Sequence, residues 1–307
     1  MTATPAERPP ERGAAVPVPE DDGADHRLKG GGPKTFDDVP VAGNETGLVM
    51  PKLGLGTWQL DERDVADIVP RALQIGFRHI DTAQMYGNEA AIGRAMTASD
   101  VARQAVFLTT KIDNDNHEPD ALVRSLETSL TALETDYVDL LLIHWPVRWE
   151  IIGATLAALA QVQAAGMASH IGVSNFTVGQ LDQVVGLAPI EVVQVECHPF
   201  LQQRELRQWC STNGLLLTAY SPLAQGQVLD DPTLSRIGAD HGTNAAGAAL
   251  AWLTSLDDVT AIPRTSKAEH LETNWQGSLV QLGAEDRESI ERLDRGQRLI
   301  DPDIGPW

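Results

Sequence analysis

The chain has 307 residues, 42% hydrophobic and 21% charged, enough to build one large core. Its 43 acidic residues against 23 basic ones give a formal net charge of −20, with no Lys/Arg run. That balance argues against nucleic acid and anionic membrane surfaces as partners. The two cysteines, Cys197 and Cys210, make neither a zinc-binding set nor a disulfide framework, and no metal site is expected. No stretch is apolar for long enough to cross a bilayer, and the first residues carry no apolar signal core, so a cytoplasmic protein is expected.

Residues 1–34 are rich in Pro, Gly, Ala and charge and end in Gly30-Gly31-Gly32-Pro33. They hold too few large apolar side chains to offset the entropy of ordering, so a disordered tail is expected there. The remainder, 35–307, is expected to be one domain. Residues 36–50 suit a hairpin that turns at Gly43-Asn44 and plugs the floor of the structure built by the strands after it.

Eight short apolar runs follow: Lys52–Thr57, Arg78–Asp81, Val106–Lys111, Val138–His144, Ser169–Val173, Val192–Glu196, Leu215–Tyr220 and Val259–Pro263. Amphipathic stretches of helical period separate them. One places Leu122, Leu126, Leu130 and Leu133 on one face. Another carries Ile290 and Leu293 behind the acidic start Ala284-Glu285-Asp286. Alternating strands and helices imply parallel strands with right-handed crossovers. Eight such units, with no glycine-rich dinucleotide turn after an early strand, favour a closed (β/α)8 TIM barrel over an open doubly wound sheet.

In such a barrel the chemistry sits at the C-terminal ends of the strands. The second run ends at Asp81, the third at Lys111, the fourth at His144 and the seventh at Tyr220. Ser174 and Asn175 follow the fifth, Gln194 and Glu196 lie in the sixth, and Arg264 and Thr265 follow the eighth. Taken singly, each has a plain structural reading: a surface lysine, a core histidine, a helix-capping aspartate, a packed tyrosine. Taken together on successive strand ends, they point to a site. A tyrosine beside an ammonium is expected to have a lowered pKa, with Asp81 keeping the lysine charged and an imidazole orienting a carbonyl. The set Tyr86, Lys111, Asp81 and His144 suits protonation of an alkoxide as hydride reaches a carbonyl carbon.

At these residues the sequence resembles the aldo-keto reductase family. Gly76-Phe77-Arg78-His79-Ile80-Asp81-Thr82-Ala83, then Tyr86-Gly87-Asn88-Glu89 and Gly93, match its first signature. Leu141–Pro146, Ile171–Phe176, Gln194–Glu196 with His198-Pro199, Tyr220–Leu223, and Ile262–Thr265 through Asn274 continue the pattern to the C-terminal end. Within the family the likeness is to bacterial 2,5-diketo-D-gluconate reductases.

The resemblance implies Tyr86 as general acid, Lys111 and Asp81 as its tuning pair, and His144 as the orienting residue. It implies that Ser174, Asn175 and Gln194 hold a nicotinamide carboxamide and that Tyr220 stacks on the ring. Ser221 and Leu223 would follow the pyrophosphate. Arg264, Thr265, Ser266 and His270 would meet the adenosine 2′-phosphate, with Asn274 near the adenine. Thr57 and Trp58 would border the cofactor, and Trp58, Trp145 and His144 the substrate. The cofactor implied is NADPH, with NADH as the alternative because His270 stands where many members carry a second arginine. Asp113 replaces a common tryptophan and predicts a more polar pocket. A brief end after Arg298 predicts a short, open one. Small aldehydes, ketones, keto-sugars or dicarbonyls are the expected substrates, acted on by a monomer or, as the alternative, a weak oligomer. The alternatives are a non-enzymatic, cofactor-sensing member of the fold and a barrel lyase using Lys111 as a Schiff base.

Overall fold

The computed structural model describes Phe36 and residues 39–307, so the expected tail lies outside the described residues. A hairpin opens the fold, formed by β1 (Val41–Gly43) and β2 (Val49–Pro51) with Gly43 opposite Val49. Asn44 organises its turn, where the side-chain Oδ1 accepts from the backbone N–H groups of Thr46 and Leu48. The expected turn at Gly43-Asn44 is present, and the second arm runs to Pro51.

Eight parallel strands then follow in chain order. They are β3 (Leu55–Gly56), β4 (His79–Asp81), β5 (Phe107–Ile112), β6 (Val138–Ile143), β7 (Ala168–Ser174), β8 (Val192–Glu196), β9 (Leu216–Tyr220) and β10 (Val259–Ala261). Bridges from Leu53 to Ala261 and from Gly56 to Arg264 join the first to the last and close a (β/α)8 barrel. The first expected run, Lys52–Thr57, contains only two residues of regular strand. The rest of it makes irregular closing bonds, such as Gly54 N–H to Ala261 O and Gly56 N–H to Pro263 O.

Helices α1 (Glu62–Ile75), α2 (Glu89–Thr97), α3 (Pro119–Ala132), α4 (Ile152–Ala164), α5 (Val178–Val184) and α6 (Arg204–Thr212) lie in the crossovers between successive strands. Then α7 (Pro232–Asp240) and α8 (Ala245–Thr254) fill the last crossover, and α9 (Ala268–Ser278) and α10 (Ala284–Glu291) follow the barrel. The leucine stripe is buried along α3 as its spacing implies. Helix α10 stops at Glu291, so Leu293 packs from the segment beyond it rather than from the helix.

Side-chain alternation sorts each strand into an inward and an outward set. The outward set, including Leu108, Leu141, Ile143, Val173, Val193 and Leu217, joins the helices in the main core. The inward set is graded from floor to rim. Phe107, Leu140, Leu142, Val192 and Leu216 form an apolar floor with Leu48 and Met50 of the hairpin, which confirms the plug. Above them Thr218 accepts from Thr260, and His79 bonds Thr109. Above those come Asp81, Lys111, His144, Ser174, Gln194 and Tyr220. A period of two and a shared polarity gradient therefore place the polar groups at one end of the barrel.

Close helix packing explains one glycine of the first signature. A Cβ added at Gly93 would stand 2.5 Å from Ala132 O and 2.7 Å from Leu133 C, both backbone atoms at the end of α3. Gly93→Ala should therefore lower stability by about 1–3 kcal/mol, the usual cost of overpacking, read as a lower urea midpoint with an unchanged slope.

Candidate active site

The site is built around a fully buried lysine near the end of β5. Lys111 Nζ donates to Asp81 Oδ1 at 2.5 Å, to Thr82 O at 2.8 Å and to Tyr86 OH at 3.4 Å. All three ammonium protons are thus directed. Burial by itself would lower the lysine pKa, but the Asp81 carboxylate and the Tyr86 hydroxyl outweigh it and hold the group above its ordinary value. The other Asp81 oxygen accepts from Gln194 Nε2 at 2.7 Å. The Asp81 backbone carbonyl accepts from both the N–H and the hydroxyl of Thr57.

Tyr86 reaches this lysine from a short turn, Gln84–Tyr86, closed by Gly87 in the left-handed region at φ 67°. Asn88 fixes that turn. Its Oδ1 accepts from the Thr82 hydroxyl, and its Nδ2 donates to the carbonyls of Thr57 and Leu60. The Tyr86 ring meets His144 edge-on at 5.7 Å between centroids. The expected lowering of the Tyr86 pKa is not found. Burial raises it, and Lys111 only partly opposes this because Asp81 offsets the lysine charge. The phenol therefore stays protonated at neutral pH. Burial, with Lys111 and His117 adding to it, holds the His144 pKa well below its ordinary value, so that imidazole is neutral. A protonated phenol against an ammonium, beside a neutral imidazole, can give a proton to an oxyanion and then bear the negative charge.

These groups open into a cavity of about 470 Å³. Thr57, Trp58, Asp81, Tyr86, His144, Trp145, Ser174, Asn175, Gln194, Tyr220, Ser221 and Arg264 all line it. The Asn175 backbone is left-handed at φ 65°. Its amide donates to His144 O and to Ser174 Oγ, and its Oδ1 accepts from Tyr220 OH at 2.8 Å. That bond fixes the Tyr220 ring as a flat wall. Arg264 turns across the rim, donating to the carbonyls of Trp58 and Gln59.

Leu223, Thr265, Ser266, His270 and Asn274 stand outside the cavity lining. Leu223 packs partly against the core. Thr265 Oγ1 accepts from Lys267 N–H at the start of α9, His270 Nδ1 lies 3.4 Å from that oxygen, and Asn274 is buried one turn further on. Asp113 does not enter the cavity either. It borders a separate shallow groove with Gln84, Glu89 and Asn116, where Gln84 Oε1 accepts its backbone N–H. The expectation that Asp113 makes the pocket more polar is therefore corrected: the polar groups of the lining are those named above, beside the apolar side chains of Trp58, Met85, Trp145, Ile300, Pro302 and Ile304. Residues 299–302 and 304 join that lining, so the brief C-terminal end supplies part of the wall. Sequence reasoning assigned no separate role to Asn88 or Met85, and it read the segment after Arg298 only as a brief end. Asn88 carried a signal, since it lies inside the first signature.

The aldo/keto reductase family profile matches residues 52–295. The chain belongs to the aldo/keto reductase family. It is 40% identical over 261 residues to the methylglyoxal reductase DkgB of Escherichia coli O157:H7, covering 83% of this chain and 97% of that one. It is 37% identical to the aldo/keto reductase slr0942 of Synechocystis, covering 84% and 90%. A crystal structure of a presumed 2,5-diketo-D-gluconic acid reductase B superposes with a TM-score of 0.84 at 40% identity, over 87% of this chain and 96% of that one. This aldo/keto reductase is thus an oxidoreductase of carbonyl compounds on a barrel shared with these relatives. Among its described residues no helix is long and apolar enough to cross a membrane.

The buried imidazoles make the aldo/keto reductase fold acid-sensitive. Burial lowers the His79 pKa to about 4, with Asp81 and Asp139 opposing and Lys111 adding, and it lowers His117 and His144 as well. In the unfolded chain each takes up its proton near pH 6.5. Between about 6.5 and about 4 the unfolded state binds more protons, so stability falls as pH falls, with His79 alone accounting for about 3 kcal/mol. The Tm should drop between pH 7 and pH 4.5, and His79→Gln should flatten part of that slope.

Proposed function

We propose that this protein reduces small carbonyl compounds with a nicotinamide cofactor, using Tyr86 as the general acid. The observation that carries the reading is the contact of the Tyr86 hydroxyl with Lys111, inside a cavity that also presents a neutral His144. When bound, the cofactor supplies the hydride.

The residues present fit a nicotinamide carboxamide. Gln194 commits its Nε2 to Asp81, which leaves its Oε1 as an acceptor. Ser174 Oγ accepts from Asn175, which leaves its hydroxyl proton to donate. A primary amide needs one of each. Tyr220 offers the flat face beside them, and Ser221 continues that wall. Leu223 lies along the same loop. Arg264, Thr265, Ser266 and His270 cluster after β10 and would receive a 2′-phosphate, with Asn274 below. Arg264 is the cation of that set suited to bidentate phosphate contact.

The chain's own residues then divide the proton work. The neutral imidazole of His144 donates a hydrogen bond to the carbonyl oxygen and orients it. Tyr86 OH passes its proton to that oxygen as negative charge develops, the O–H bond breaking and the new O–H bond forming on the product alcohol. The Lys111 ammonium stabilises the phenolate left behind, and Asp81 keeps that ammonium charged and aimed. Trp58 and Trp145 flank the substrate and exclude water. The lyase alternative does not suit the geometry, because a Schiff base needs a neutral, accessible amine and Lys111 is charged, sealed and fully bonded. The methylglyoxal reductase and 2,5-diketo-D-gluconic acid reductase relatives favour small dicarbonyls and keto-sugars as substrates.

Oxidation of NADPH or NADH with methylglyoxal or 4-nitrobenzaldehyde tests the reading. Turnover is expected, and a folded wild-type protein that turns over neither compound would leave the non-enzymatic alternative standing. Tyr86→Phe should cut kcat by about 10² or more with an unchanged Tm, the usual scale for a lost general acid. Arg264→Ala should raise KM for NADPH by about 10-fold or more and leave NADH within about 2-fold, on the scale of a lost charge-assisted contact. An equal rise for both cofactors would mean that Arg264 serves only to tie the Trp58 loop to the rim.

A further inference from the structure

One buried charge near the cavity has no part in the proton chemistry. Glu196 ends β8 with its side chain on the inward face, fully buried, yet it is not a cavity wall. His198 Nε2 lies 3.0 Å from its Oε1. The same carboxylate accepts from Leu299 N–H at 2.9 Å and from Ile300 N–H at 3.0 Å, and the Arg298 guanidinium stands 4.0 Å away. Leu299 and Ile300 do line the cavity, as do Asp301, Pro302 and Ile304.

Beyond that root the chain folds back on itself. Trp307 Nε1 donates to Asp301 Oδ1 at 2.8 Å, and the Arg298 guanidinium lies 3.6 Å from the Trp307 ring centroid. The Trp307 ring also lies 5.6 Å from the Trp145 ring between centroids, and Trp145 is itself a cavity wall. Residues 298–307 are thus a compact loop with close ends, packed by its own side chains. No helix or strand holds it. It is held by the backbone bonds to Glu196 and the packing of Leu299 on the main core at one end, and by the Trp307–Trp145 contact at the other. Just upstream, the N–H groups of Arg295 and Gln297 both donate to Phe200 O, so the chain is already fixed when it reaches the root.

We propose that Glu196 is a positioning residue for the reductase site. Its carboxylate holds loop 298–307 as the wall against which the non-reacting substituent of the substrate packs, so a substituent larger than methyl depends on that wall while a methyl group does not. The proposal rests on the reductase reading above. A carboxylate suits the root because it faces only donors: an imidazole, two N–H groups and a guanidinium. In Glu196→Gln one acceptor becomes an NH₂ that points at a donor, so the loop loses a charge-assisted bond and gains a repulsive contact.

The test compares phenylglyoxal with methylglyoxal, which share the dicarbonyl and differ in the substituent. Glu196→Gln should raise KM for phenylglyoxal by about 10-fold or more, with kcat for both compounds and KM for methylglyoxal within about 2-fold, the pattern of a lost binding wall. Trp307→Ala removes the other support without touching a buried charge and should give the same split, so it tests the wall if Glu196→Gln does not fold. Trypsin cleavage after Arg298, followed by intact mass, should quicken in both variants. Equal losses on the two aldehydes, or no change in either KM, would overturn the proposal. If the wild type reduces neither aldehyde, the reductase reading fails. The trypsin arm still decides the anchor, since unchanged cleavage in both variants would overturn it.

Discussion

The ion pair between Lys111 and Asp81 is the constraint on which the site depends. Both groups are out of water, where an isolated charge would cost several kcal/mol. The cost is tolerable because every donor and acceptor of the pair is directed. Lys111 reaches Asp81, Thr82 and Tyr86, and Asp81 receives Gln194 on its second oxygen. A well-packed apolar pair would stabilise the barrel about as well. The charges make sense where a phenolate must later be stabilised, and this ties a costly feature of the interior to chemistry at the rim.

The same pair explains the electrostatics around it. Because Asp81 offsets Lys111, the lysine cannot draw the Tyr86 proton away in the resting state, and burial keeps the phenol protonated. The imidazoles respond in the opposite sense. His79 beneath the pair and His144 beside it are both driven neutral by burial; the lysine charge adds to this at His144, while at His79 Asp81 opposes the shift more than Lys111 adds to it. One arrangement therefore stores a proton on Tyr86 and removes competing ones from its neighbours.

Much of this is legible in the sequence because two periodicities coincide. Eight apolar runs announce the barrel, and the polar residue at each run's end announces the rim. Alternation then carries Asp81, Lys111, His144, Ser174, Gln194 and Tyr220 to the same inward face. Residues off that alternation are less legible. Asp113 follows β5 in a loop, so no period governs its direction, and it turns to a separate groove with Gln84. Arg264 carries a cation suited to phosphate, yet its guanidinium is bonded to the carbonyls of Trp58 and Gln59, which lie far away in sequence. The sign of the Tyr86 shift escapes a pairwise view, which counts the nearby ammonium and omits burial and the counter-charge.

The amino-acid order alone determined the barrel, its hairpin plug and the strand-end residues, since local alternation and helical spacing set which face each side chain takes. Tertiary structure alone decided how those residues work together. The distance from Lys111 to Tyr86, the commitment of Gln194 to Asp81, and the return of residues 298–307 onto Glu196 are all long-range contacts. They follow from closing the barrel and docking the last segment on it, and no short-range pattern encodes them. Burial is likewise a property of the assembled whole, which is why the protonation states of Tyr86, His79 and His144 emerged only from the fold.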